Sequence, residues 1–211
     1  MPASDLLRGA LDDIRDHWRI YAVMNVAYYG LVIVGMIYTL IDPGLQRLLI
    51  ELVGSAFSEG PLALVGQAYT GGELLTAIVL TFAVNLGIGS FVSITLPSLV
   101  VPFSGLLIGV YRAVVWGILF SPVDPTITAV LLPHLVTLII EGQGYILAMF
   151  AAFLQGRGFL WPYTVGASTH GEGFIAGLAM TLRLYVLIAL VLAVAAIYEG
   201  IEIILILPAL R

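Results

Sequence analysis

Glu141, Glu199, Glu202, Arg112 and His134 fall inside long apolar runs of this chain, and they are where any chemistry would begin. An ionised side chain at mid-membrane costs about 2.5–3.5 kcal/mol on insertion scales, so each needs a partner or a task. His134 precedes Glu141 by seven residues, two helical turns, so the two project from one helical face within roughly 20°. Imidazole titrates near neutrality, so such a pair lining a hydrated cavity would accept and release protons. Asn25, Asn85 and Gln143 add neutral polar groups at similar depth.

Three uses are open to this set. Arg112 would neutralise Glu141 or Glu199 while Asn85 and Gln143 bond neighbouring helices and fix their packing register. Alternatively, His134 and Glu141 would relay protons. In the third use Glu141, His134 and Glu199 would hold a metal or activate a water, although no HExxH or similarly tight spacing is present. No catalytic residue, metal ligand or cofactor is assigned.

Composition decides where these residues must sit. The chain has 211 residues, 61% hydrophobic and 10% charged, against about 45–50% and 25% in soluble domains, which is the balance of a polytopic membrane protein. Cysteine is absent, removing thiol nucleophiles, thiolate metal sites and disulfides. All eight basic residues are arginines, which excludes P-loop ATPases, protein kinases and lysine Schiff-base enzymes. A net charge of -5 without a basic run argues against nucleic acid or anionic lipid headgroups as the main ligand.

About 20 apolar residues cross a hydrocarbon core of roughly 30 Å, and that length marks five spans at 20–41, 74–97, 102–120, 126–155 and 173–208, with six as the alternative. Pro97 and Pro102 mark the hairpin between the second and third. The last is long enough to tilt or to break near Glu199 and Gly200. Residues 1–19 read as an amphipathic entry helix, with Leu7, Leu11, Ile14 and Trp18 on one side and Asp12, Asp13, Arg15 and Asp16 on the other. It lacks the features of a cleaved signal peptide, so the N-terminus is expected to be retained. Residues 20–211 are then a single transmembrane domain. Between spans one and two, residues 43–58 place Leu45, Leu48, Leu49, Leu52 and Val53 on one face, while Gln46, Arg47 and Glu51 fall elsewhere. An interfacial helix is expected there. Arg8, Arg15, Arg19 and Arg157 against Arg47 and Arg211 favour a cytoplasmic N-terminus.

Two glycine pairs, Gly105 with Gly109 and Gly173 with Gly177, have the GxxxG spacing that lets helix backbones approach closely. Within one bundle they are most simply intramolecular, and a homodimer is the sharper alternative. Two glycines beside a buried carboxylate, in Glu141-Gly142-Gln143-Gly144, suggest a helix break or a very close crossing.

Three stretches resemble the stage II sporulation protein M family of small integral membrane proteins. Phe82-Ala83-Val84-Asn85-Leu86, followed by Pro102-Phe103-Ser104-Gly105 through Gly109, resembles its asparagine-bearing helix and later turn, with Ser104 in place of the usual asparagine. Pro133-His134, Glu141 and Ala148 resemble its Pro-His-Gly...Glu...Ala segment, with His and Glu seven rather than about four apart and Leu135 after the histidine. Ala195-Ala196-Ile197-Tyr198-Glu199 resembles its closing helix. The resemblance covers roughly residues 74–208. It implies a multi-pass scaffold or complex subunit in a prokaryotic cytoplasmic membrane, as the sporulation member is for cell-wall hydrolases, with Asn85, His134, Glu141 and Glu199 at motif positions.

The expectation is therefore an all-α membrane bundle acting as a non-enzymatic, cell-envelope scaffold. The alternative is a proton-linked transporter or exporter subunit built on His134, Glu141 and Arg112, and an intramembrane hydrolase stands third. Expected partners are the lipid bilayer, other membrane or envelope proteins and a second copy, with no nucleic acid.

Overall fold

A computed structural model describes residues 3–210 as all-α, with no strand among the described residues. In chain order the helices are α1 (Ala3–Asp16), α2 (Trp18–Ile41), α3 (Gly44–Ser58), α4 (Ala63–Thr70), α5 (Leu74–Val100), α6 (Ser104–Leu119), α7 (Pro125–Leu160) and α8 (His170–Ala209). A short 3₁₀ turn, Pro162–Val165, precedes α8. Four of these, α2, α5, α7 and α8, are long and apolar enough to cross a bilayer. Several long apolar helices of this kind are consistent with an integral membrane protein.

The structure departs from the sequence reading, or decides between its alternatives, at five places. The turn before α6 lies at Val101–Phe103, and Pro97 continues α5 instead of ending it. A proline ring collides with the carbonyl four residues earlier, here that of Ser93, which sits in a stretch of wide π-type turns, Val84–Thr95. The broader turn relieves the collision without ending the helix. The same arrangement recurs in α8, where the wide turns Glu202–Ile206 lead into Pro208, so the helix runs unbroken past Glu199 and Gly200. Gly142 does not break α7 either; a Cβ there would stand 2.9 Å from the Tyr29 Oη, so the glycine makes room for the Tyr29 ring of α2. Finally, α6 has 16 residues, about 24 Å, less than a hydrocarbon core requires.

Helix faces are the fifth difference. In α3 the buried residue is Gln46, and Leu45, Leu48 and Leu52 are exposed. In α1 Ala10 and Asp13 are buried and Leu11 is exposed, as is Trp18 at the start of α2. Amphipathic periodicity identifies the two faces, but the rule that the apolar one turns inward presupposes water outside. Helix α4 was not legible in advance. It meets α3 at 84°, and Gly66 permits the bend by leaving room for the Phe57 carbonyl.

The chain packs into two compact units. One comprises the described residues up to Tyr28 with Asn85–Tyr111 and Gln143–Val191; the other comprises Tyr29–Val84, Arg112–Gly142 and the described residues from Leu192. In the first, Tyr145–Ala152 is buried on every side, the property of a helix enclosed by others. Gly109 is packed against Met149, Gly105 against Ile94 and Ser98, Gly173 against Gly158, and Gly177 against Gln155, so all four glycines of the GxxxG pairs make close approaches within the chain. Ser98 Oγ donates to the Ile94 carbonyl at 2.9 Å and accepts from the Gly105 N–H at 2.7 Å, clasping the turn between α5 and α6.

In the second unit α2 and α6 cross at Gly35 and Gly117. A Cβ on Gly35 would stand 2.6 Å from the Val114 carbonyl oxygen, and one on Gly117 would strike that of Val32. Ser121 Oγ donates to the Met36 carbonyl at 3.0 Å beside them. Gln46 Nε2 donates to the carbonyls of Leu119 at 3.0 Å and Ser121 at 2.7 Å, tying α3 to the end of α6.

Candidate functional site: a carboxyl and imidazole cluster

The second unit gathers ionisable groups from α7 and α8. His134, Thr137 and Glu141 recur at i, i+3 and i+7 on α7, and Glu199 and Glu202 at i and i+3 on α8, so each helix presents its set along one face. Glu202 is fully buried. Its Oε1 lies 2.9 Å from His134 Nδ1, and its Oε2 accepts from the Thr137 hydroxyl at 2.7 Å. Both carboxyl oxygens are thus satisfied by side chains, as a buried carboxyl requires.

Neighbouring groups hold this pair in place. The Phe120 ring lies against the His134 imidazole with centroids 4.7 Å apart. Tyr198, one turn before Glu202, donates from its hydroxyl to the Pro133 carbonyl at 3.1 Å, fixing α8 beside α7. Glu141, 8% exposed, and Glu199 lie close enough to each other and to Glu202 for their charges to interact. Tyr69 of α4 is within the same electrostatic reach of all three carboxyls, and its phenol shares a 2.9 Å hydrogen bond with the Thr81 hydroxyl of α5. The bend between α3 and α4 is what brings that phenol in.

The structure therefore unites His134, Glu141, Glu199 and Glu202, with Glu202 rather than Glu141 as the direct partner of His134. Arg112 belongs to the same unit and is half-buried on α6. Gln143 and Asn85 belong to the other unit. There Gln143 Oε1 accepts from the Tyr21 hydroxyl at 2.8 Å and its Nε2 donates to Asn25 Oδ1 at 2.7 Å, which ties α7 to α2. The Asn85 carbonyl accepts from Ser90 Oγ at 3.1 Å where the wide turns of α5 begin. Among the described residues no three His, Asp or Glu side chains are placed to hold a metal ion, so the trio His134, Glu141 and Glu199 is not assembled as a ligand set.

Sequence reasoning missed Thr137, Tyr69 and an ion pair in the first unit between Asp13 and Arg183. Thr137 was findable, since a hydroxyl three residues after His134 must share its face. Arg183 was findable too, as an arginine well inside the last apolar run. Tyr69 gave no signal, because only the bend before α4 brings it near.

No known protein family, curated protein or solved structure matches this chain.

Proposed function

We propose that this chain is a proton-linked membrane transport component in a prokaryotic cytoplasmic membrane, with Glu202 and His134 as its proton-exchanging pair. The observation that carries the reading is the full burial of the Glu202 carboxyl against an imidazole, with Glu141 and Glu199 within reach. Carboxyl and imidazole chains at membrane depth are costly to insert, and proton relays are the use that offsets the cost. Tyr69 and Thr81 extend the set of exchangeable hydroxyl protons toward α4 and α5. The sharply bent α3 and α4 pair, an apolar segment interrupted beside a polar cluster, is the kind of element that lines substrate sites in transporters.

The test is proton flux into liposomes holding the purified chain, measured with a trapped pH dye under an imposed pH gradient. Wild-type protein is expected to conduct in a pH-dependent way. Glu202→Gln and Glu141→Gln are each expected to reduce the flux about a hundredfold, the order that one positioned proton-transfer group contributes. Unchanged flux in both variants would remove this reading. The scaffold role implied by the sporulation-family resemblance would then stand, tested by what co-purifies from the native membrane.

A further inference from the structure

The first unit carries two cavities that share a single side chain, Arg157. One, of about 500 Å³, is lined by Phe103, Leu106, Phe153, Trp161 and Tyr163 together with Arg157. The other, of about 480 Å³, is lined by Asp16, His17, Trp18 and Arg19 together with Arg157. Both volumes are in the range of ordinary ligand sites, roughly 300–1,000 Å³. Their chemistry differs: the first is aromatic and aliphatic, whereas the second sets two guanidiniums and an imidazole against one carboxylate.

Arg157 lies in the last turn of α7 and Arg19 in the first turn of α2, so both stand at ends of apolar helices. Trp18, Trp161 and Tyr163 are exposed beside them, and aromatic rings of this kind are enriched at the membrane–water boundary. The half-buried Arg157 guanidinium makes no hydrogen bond or ion pair among the described residues. Arg19 lies with its guanidinium carbon 5.7 Å from the centre of the Trp18 ring, and it too has no carboxylate partner among those residues. Two arginines with no ion pair among the described residues therefore line one cavity in a chain of net charge -5, and one of them, Arg157, also lines the apolar cavity.

The backbone supports the same place. Phe103 is the one non-glycine among the described residues with a positive φ, 69°, a strained conformation that surrounding contacts must enforce. Its ring packs against Phe153 and Trp161 at centroid distances of 5.7 and 6.0 Å, making it part of the apolar cavity wall.

We propose that the first unit binds an anionic phospholipid, its phosphate held by Arg157 and Arg19 and its acyl chain laid along Phe103, Phe153 and Trp161. A phosphate meets a guanidinium by paired charge-assisted hydrogen bonds, and basic pockets between membrane helices are recurrent sites for anionic headgroups. The two arginines are 138 positions apart in sequence, which is why the absence of a basic run does not report on this site. This inference is independent of the proton-linked reading, since no residue of the carboxyl cluster takes part.

Native mass spectrometry of the full chain in detergent, titrated separately with phosphatidylglycerol, phosphatidylcholine and inorganic phosphate, tests it. Phosphatidylglycerol is expected to remain bound in preference to phosphatidylcholine. Arg157→Gln is expected to weaken that binding about tenfold, the loss of one charge-assisted contact, while Arg47→Gln, in the other unit, leaves it unchanged. If Arg157→Gln does not fold, Arg19→Gln reads the same headgroup contact, and Trp161→Ala reads the tail. Equal retention of both lipids, or wild-type retention in the arginine variants, would overturn the proposal. Displacement of the lipid by millimolar phosphate would overturn it in favour of a free-anion site.

Discussion

The Arg183 guanidinium grips both carboxylate oxygens of Asp13 across 170 positions of sequence, with Nε donating to Oδ2 at 3.0 Å and Nη2 donating to Oδ1 at 2.9 Å. Gly9, one turn before Asp13, leaves the room this side chain uses, since a Cβ there would stand 2.5 Å from Arg183 Cδ. Arg183 could not stay in the middle of α8 without an anion, and α1 is amphipathic in a way that supplies one.

Removing one partner strands the other. Complete burial would make this loss about 3–5 kcal/mol, but the side chains retain 11% and 26% of their exposure, so Asp13→Asn or Arg183→Met is expected to lower stability by about 2 kcal/mol. Thermal unfolding in detergent measures it. The exchanged pair, Asp13→Arg with Arg183→Asp, should recover part of the loss, and strict additivity of the two single changes would show that the pair is not coupled.

At Glu202 two substitutions separate function from fold. Glu202→Gln keeps an acceptor for the Thr137 hydroxyl and is expected to fold while losing proton flux. Glu202→Leu leaves His134 and Thr137 without their partner and is expected to lower stability by about 1–3 kcal/mol. Equal stability of the two variants would contradict the geometry.

Glycine substitutions in α2 and α6 should split by place. Gly117→Ala drives a methyl into the Val32 carbonyl and is expected to destabilise by about 1–3 kcal/mol. Gly30→Ala meets nothing within 4 Å and is expected to be neutral or to stabilise by up to about 1 kcal/mol through helix propensity. Unfolding midpoints of the two variants, compared side by side, check the contrast.

Asp124, the residue before α7, gives a pH-dependent signal. Its carboxylate accepts from the Thr126 hydroxyl and, at 2.8 Å, from the Thr126 N–H, which together hold it below the usual carboxylate range. A group depressed in the folded state stabilises fully above its unfolded value, about 3.9 for Asp, and loses that contribution as pH falls through its folded value. Asp124→Ala is therefore expected to unfold earlier than wild type at neutral pH, with the gap closing under acid. A gap that stayed constant down to complete protonation would remove the carboxylate from the capping role.

The sequence was legible where one helix suffices. Long apolar runs at 20–41, 74–97, 126–155 and 173–208 coincide with α2, α5, α7 and α8, because backbone polarity in lipid leaves helix as the satisfactory local structure. The common face of His134 and Glu141 follows from helical period alone. What failed was the choice of neighbour. By period Gln46 and Asp13 fall off the apolar faces of their helices, yet both are buried on specific acceptors or donors from distant helices. Residue type marks both Pro97 and Pro102 as helix ends, and only Pro102 lies in the turn, because the wide turns that absorb Pro97 depend on register within α5.

By itself, then, the sequence determined an all-α chain of lipid-compatible helices and the short list of residues too polar to lie there unassisted, since burying apolar surface and satisfying the backbone are local demands met by composition and period. Only the tertiary structure decided that Glu202 is the partner of His134, that α4 folds back to bring Tyr69 to the carboxyls, and that Arg19 and Arg157 meet at one cavity. Those pairings depend on which helix faces adjoin, and positions up to 170 residues apart carry no periodic signal of one another.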